Sequence, residues 1–311
     1  MKDLEKSIHD EKELFNSINN KREISEFIPV EFDYDLIPEK FDFDRYAIKK
    51  IGQKSINFLI DTLKSLDHPL LVDVCCGPGW VSLLSARRGA NVYGYDITEV
   101  GLRNANISKE RNKENISKMG GSLEYFNQNV HTIPFLNNQN SVDFYIGWSA
   151  FHHLDKLDDF FDRMNYSLKS GGYIISVDDI GSHKINRIFT WLFKFILPLK
   201  NISYFQKFKN IYSYILKIFQ PEKEWHTPME EFVGKHENAV EKIELILKRD
   251  YLRVSNYRYC AFIHYFILDI AGPIWFKKII FSILWPFDKF LIATKICKGN
   301  LRFILAKKIN N

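Results

Sequence analysis

The chain of 311 residues is 46% hydrophobic and 26% charged, a balance that argues for a packed globular core and against a disordered segment. The formal net charge of +5 is modest. The four cysteines, Cys75, Cys76, Cys260 and Cys297, are too few and too scattered for a disulfide framework, and with no C-x-x-C pair they argue against a zinc site.

Residues 1–50 read as a polar helical extension with thirteen acidic and nine basic side chains. The start, "MKDLEKSIHDEKELF", is charged throughout and reads as no signal peptide, so the cytoplasm is the expected location. No uncharged apolar run reaches about 18 residues, which argues against a spanning helix. A helix is predicted over roughly 47–66. Leu70–Cys75 has the Leu/Val-rich pattern of a strand buried on both faces. "GWVSLLSARRG" predicts a helix from Gly79 to Arg88, stopped by Gly89. "ANVYGYDI" is a second strand ending at Asp96, and Thr98 is positioned to cap a helix over 99–115.

The alternation continues through "SLEYFNQNV" and "SVDFYIGWS" as strands. An amphipathic helix follows in "LDKLDDFFDRMNYSLKS", with apolar Leu154, Leu157, Phe160, Phe161, Met164 and Leu168, and then the strand "GGYIISVDD". Strand and helix alternating across 70–180 predict a doubly wound α/β fold with helices on both faces of a parallel sheet. Beyond it, 181–226 forms an aromatic-basic insertion. Thr227, Pro228 and Glu230 then make a helix-start signature. "YLRVSNYRY" resembles a strand, 261–298 is a second aromatic-basic insertion, and "NLRFILAKK" is a final strand.

The chemistry concentrates at "LLVDVCCGPGW". A strand that enters a tight turn and then a helix places ligands at the carboxyl end of a sheet. Gly77 and Gly79 let a ligand approach the backbone, and the following helix start offers N–H groups to a carboxylate or phosphate. Asp96, at the end of the next strand, can accept hydrogen bonds from both ribose hydroxyls. A nucleoside-bearing cofactor follows. A dinucleotide fingerprint would need a third glycine where this chain has Ser82, and Trp80 crowds the turn, which weakens the pyrophosphate reading.

"VDVCCGPG", "VYGYDIT", "FNQNVHTIPF", "SVDFYIGWSAFHHL" and "LKSGGYIISVDD" resemble, in order, five motifs of the class I S-adenosylmethionine-dependent methyltransferases. The resemblance spans about 70–180. It implies a Rossmann-like seven-stranded sheet with the last strand antiparallel, over a methyltransferase domain of 51–311, and S-adenosyl-L-methionine as cofactor. The family's first turn glycine falls at Cys75, and its usual Asp falls at Asn129. By resemblance, Asp73 lies near the cofactor's amino-acid end, Cys75, Gly77 and Gly79 face the cofactor, and Asp96 binds the ribose. Ile97 packs on the adenine face, Asn129 with Val130 beside it meets the adenine amino group, and Trp148 and Ser149 flank the methionine portion.

Methyl transfer asks the protein mainly to position an acceptor against an activated cofactor. An acceptor hydroxyl needs a base, and His152, His153 and His226 are the candidates. The apolar lid suggested by the two insertions favours a small or lipid-linked acceptor, with oxygen preferred over nitrogen or carbon. The same insertions suit contact with an anionic membrane surface, which would make the protein peripheral on its inner face. Nucleic acid is not expected, because arginine is sparse there and the apolar content is high. A nicotinamide-dependent oxidoreductase and a non-catalytic module of the same fold are the alternatives.

Overall fold

The computed structural model describes residues 2–21, 43–179, 183–210, 212, 242–248, 251–263 and 266–309. The strands are β1 (Leu70–Val74), β2 (Asn91–Asp96), β3 (Ser122–Asn127), β4 (Val142–Trp148), β5 (Leu168–Asp179), β6 (Tyr251–Tyr259) and β7 (Leu301–Lys308). They form one sheet in the order β3-β2-β1-β4-β5-β7-β6. β7 runs antiparallel to both β5 and β6, whereas the ladders among β1 to β5 are parallel. This is the seven-stranded Rossmann-like arrangement with a late antiparallel strand.

The apolar runs explain the layering. Successive side chains of a strand point to opposite faces, so Leu71 joins one core cluster while Val72 and Val74 join the other. On one face, α2 (Phe43–Lys64) and α3 (Trp80–Ala86) contribute Ile56, Leu59 and Leu83. On the other face, α6 (Leu157–Ser167) contributes Leu157, Phe160, Phe161 and Met164. The helix at 242–248, α9, adds Ile243, Ile246 and Leu247 to that side. A third cluster is built mainly from helices, with Tyr259 of β6 and Leu301 of β7 packed against it. It joins the start of α2, α7 (Lys184–Ile196), the segment 260–270 and the 20-residue helix α10 (Ile274–Ala293) through Phe43, Phe262, Phe266, Phe281 and Leu284.

Several boundaries differ from the sequence expectation. The helix expected over 99–115 is two helices, α4 (Glu99–Arg111) and α5 (Lys113–Lys118). Asn112 interrupts them: its side-chain amide donates to the Ser108 carbonyl, the local competition that makes asparagine a helix breaker. Leu168, read as the last apolar position of α6, is the first residue of β5. It pairs with Val142 and stays in the core by that route. The predicted helix 79–88 is trimmed to Trp80–Ala86, with Gly79 as its left-handed N-cap. The helix-start signature at Thr227, Pro228 and Glu230 lies outside the described residues.

The N-terminal extension is more than an appendage. Helix α1 (Lys2–Lys21) docks on α4: Lys12 pairs with Glu99 at 2.6 Å, and Asn16 accepts the Val100 N–H at 3.1 Å. It therefore lies against the carboxyl end of β2.

Candidate cofactor and acceptor site

Strand β1 ends where the backbone turns left-handed. Cys75 has φ +53°, Gly77 +52° and Gly79 +76°. A non-glycine residue at such a φ carries strain of about 1–3 kcal/mol that its surroundings must hold. Cys75, standing where the family pattern has glycine, is thus the strained member of the turn. Three bonds hold it. The Cys76 N–H donates to the Tyr95 carbonyl at 2.9 Å, the Gly79 N–H to the Cys76 carbonyl at 2.9 Å, and the Gly77 N–H to Asp96 Oδ2 at 2.7 Å.

The two glycines serve different ends. A Cβ on Gly77 would meet nothing within 4 Å, so its surface is open to a ligand. A Cβ on Gly79 would come within 2.2 Å of the Tyr125 hydroxyl, which itself donates to the Gly79 carbonyl at 3.0 Å. That side of Gly79 is committed to the protein, not to a ligand.

Asp96 is buried at the tip of β2. Besides the Gly77 N–H, it accepts from the Thr98 N–H at 2.7 Å and the Thr98 hydroxyl at 2.6 Å. Thr98 occupies the N-cap position of α4 but turns its hydroxyl back to Asp96 instead of capping. A carboxylate has about four lone-pair sites, so a ribose here shares the carboxylate with the turn that it locks. Asp73 is also buried and accepts the Ser82 hydroxyl at 2.6 Å. Burial, with the Asp96 charge adding to it, pushes Asp73 up to about 7, and burial raises Asp96 as well. Desolvation and the nearby carboxylates push both thiols, half-buried Cys75 and buried Cys76, well up, away from the thiolate that a nucleophile or metal ligand needs.

Two desolvated carboxylates beside an open glycine surface favour a ligand that brings positive charge. A nucleoside carrying a sulfonium and an ammonium group fits that donor set. Ile97 is half-buried just past the strand end. Asn129 Oδ1 accepts the His131 N–H at 2.9 Å and caps the turn 130–132, so one lone pair of the oxygen assigned to adenine is already used locally. The Val130 side chain is buried in the core below. Trp148 closes β4 and packs edge-on against Trp80 at 4.7 Å, and Ser149 follows with φ +53°.

Beside the turn stands a second cluster. His152 is buried and its Nδ1 lies 2.7 Å from Asp178 Oδ1, at the carboxyl end of β5. The Ser176 hydroxyl donates to the other Asp178 oxygen. The His153 ring sits 4.0 Å from the His152 ring, centroid to centroid, and its Nδ1 lies 3.0 Å from Glu11 of α1. Phe15 of α1 meets His153 edge-on at 5.8 Å. The structure therefore brings His152 and His153 together, while His226 lies outside the described residues. Sequence reasoning missed Glu11, Asp178 and Tyr125. For Glu11 a signal existed: it stands on the same helical stripe as Leu4, Ile8, Leu14 and Phe15, the position of a charge meant to be covered.

The fold is the Rossmann-like α/β methyltransferase fold, and the site sits where such a domain takes S-adenosylmethionine. Residues 72–176 match the family model described as a methyltransferase domain, and that part of the chain belongs to the family. No curated protein matches the chain. A solved geranyl diphosphate methyltransferase in complex with GPP and sinefungin is similar at 14% identity and a TM-score of 0.54, over 97% of this chain and 100% of that one. The geranyl diphosphate C-methyltransferase from Streptomyces coelicolor A3(2) is similar at 16% identity and 0.49, over 88% and 85%. Magnesium protoporphyrin IX methyltransferase from Synechocystis PCC 6803 gives 13% and 0.42, over 87% and 86%. At these identities the solved structures speak to the fold. The methyltransferase domain displaces the nicotinamide alternative.

Proposed function

We propose that this enzyme methylates a hydroxyl oxygen on a small or lipid-like acceptor, with His152 as the proton acceptor and Asp178 as the residue that positions it. The observation that carries this reading is the buried His152–Asp178 pair at the carboxyl ends of β4 and β5, next to the glycine turn. With its Nδ1 proton shared with Asp178, the imidazole carries its basic lone pair on Nε2, the nitrogen we assign to the acceptor's proton.

When bound, the cofactor supplies a methyl carbon made electrophilic by the sulfonium. Asp73, Gly77 and Asp96 would hold it. The acceptor hydroxyl would give up its proton to His152 as it takes the methyl group that the bound cofactor would supply. Asp178 then stabilises the imidazolium. His153, fixed by Glu11 and Phe15, walls the site on the side of α1.

The test is mass spectrometry of small-molecule extracts incubated with methyl-labelled cofactor, followed by kinetics on the acceptor found. An oxygen-linked methyl is expected. His152→Ala should lower kcat by about a hundred- to ten-thousandfold, the usual share of a general base, while S-adenosylhomocysteine affinity by calorimetry holds. A carbon- or nitrogen-linked methyl, or full turnover in the variant, defeats the reading.

A further inference from the structure

The aromatic-basic half of the chain carries a surface that the site does not use. Along α10, Trp275, Ile279, Ile283 and Phe290 are all exposed, from 51% to 64%. Their spacing of four, four and seven puts them on one stripe of the helix. At about 1.5 Å per residue the stripe runs roughly 22 Å. The stripe is not a frayed edge. The opposite side of α10 buries Phe281, Leu284 and Leu291. Its Asp288, fully buried, accepts the backbone N–H groups of Ala261, Phe262 and Ile263 at 2.9–3.2 Å.

Helix α7 repeats the arrangement. Ile185, Ile188, Leu192 and Ile196 are exposed at helical spacing, while Phe189 and Phe193 turn inward and meet Phe287 of α10. The short helix α8 (Tyr204–Lys209) is fastened to the end of α7, because Lys207 donates to the Lys194 and Phe195 carbonyls at 2.6 and 3.2 Å. It presents Phe205 and Phe208, which are 78% and 61% exposed.

The charge on these elements has one sign. Residues 184–210 contain five Lys and one Arg and no Asp or Glu. Residues 274–298 contain five Lys and a single acid, the buried Asp288. Lys194 and Lys289 lie over the Trp191 and Trp285 rings at 5.0 and 4.7 Å, so cations and apolar rings share the same helices. Among the described residues no helix is long and apolar enough to cross a membrane.

We infer that the exposed faces of α7, α8 and α10 dock the enzyme onto an anionic lipid surface, lying on it and not through it. Large apolar side chains interleaved with cations, and no exposed acid on these helices, complement lipid headgroups of negative charge over an apolar layer. A second copy of the chain is the poorer occupant, since two such faces would set lysines against lysines. The inference goes beyond the proposed acceptor and does not depend on it: vesicle binding without methyl transfer would sink only the acceptor, and methyl transfer without vesicle binding only the docking.

The experiment is flotation of the full chain with vesicles of phosphatidylcholine alone and of phosphatidylcholine with phosphatidylglycerol, at low and raised salt. Flotation is expected on the anionic vesicles only, falling as salt rises. Ile279→Glu combined with Ile283→Glu should cut the partition coefficient by about a hundredfold, because two exposed apolar anchors are lost. The variant should keep its melting temperature and its S-adenosylhomocysteine affinity. Should it fold poorly, brominated lipid in the anionic vesicles replaces it: quenching that shrinks in Trp275→Phe is expected. No flotation on anionic vesicles overturns the inference, as does unchanged partition of a folded double variant. Sedimentation showing a dimer that the double variant dissociates would assign the face to a second copy and overturn it too.

Discussion

The glycine turn and the aromatic cap solve opposite problems. At the turn, charge is buried: Asp73 and Asp96 are taken out of water, and hydroxyls and backbone N–H groups are aimed at them. At the cap, apolar surface is exposed: α7, α8 and α10 leave isoleucines and aromatics in water, held by an aromatic core beneath. Both arrangements cost stability in the isolated chain. On the readings proposed above, each would be relieved by a different external group, a cationic nucleoside in the first case and an anionic lipid surface in the second.

Asp288 is the place to break the cap alone. Asp288→Ala strips three buried N–H donors of their acceptor, at about 1–3 kcal/mol each before relaxation, so a loss of about 3–5 kcal/mol is expected. Asp288→Asn keeps one acceptor oxygen and should cost less than half of that. Urea denaturation measures both. If the two halves are as separate as their clusters suggest, the affinity of the folded Ala variant for S-adenosylhomocysteine changes far less than its vesicle binding. A parallel loss of both would show the halves to be one unit.

Asp73 breaks the turn. Its folded-state value of about 7 lies above the ordinary 3.8, so the protein accommodates the neutral acid better than the carboxylate. The stability it contributes is whole below pH 4 and drains away as pH rises to 7. Asp73→Asn keeps an acceptor for Ser82 and removes that loss. Thermal melts without ligand should show the variant gaining on the parent between pH 4 and pH 7, by up to about 4 kcal/mol. Saturating S-adenosylhomocysteine should shrink the gap, since its ammonium group favours the carboxylate. A gap that ignores pH would mean that Asp73 is not the strained acid.

The two regions were also unequally legible. The turn was readable because its chemistry is local: a strand, a glycine pair and an acid at the next strand end fix their own geometry within about thirty residues. The alternation of strands and helices was readable for the same reason, segment by segment. What the sequence hid is whatever depends on distant pairing. Cys75 gives no sign of its left-handed backbone except by the glycine it replaces. Tyr125 reaches Gly79 from 46 residues away. Asp178 meets His152 only because β4 and β5 are adjacent. At the cap, composition announced cations and aromatics together, but not which faces they take. That depends on Asp288 seizing the 261–263 backbone.

The smallest expected effect concerns the strap between the extension and the turn. Glu11 and His153 form a pair at 3.0 Å, and the Glu11 charge is close enough to bear on Cys75. Helix α1 therefore comes close to the residues that follow β1 and β4. Glu11 is buried, so truncating it would strand His153 at a cost of about 3–5 kcal/mol, whereas Glu11→Gln keeps the volume and an acceptor oxygen and removes only the charge. Glu11→Gln should then leave the melting temperature nearly in place while S-adenosylhomocysteine dissociates faster, by less than about tenfold, with association changed in the same sense. Stopped-flow displacement reads both rates. If α1 were only a brace for α4, Lys12→Ala, which cuts the Glu99 pair instead, would alter the rates as much as Glu11→Gln. A lid hinged on His153 answers to Glu11 alone.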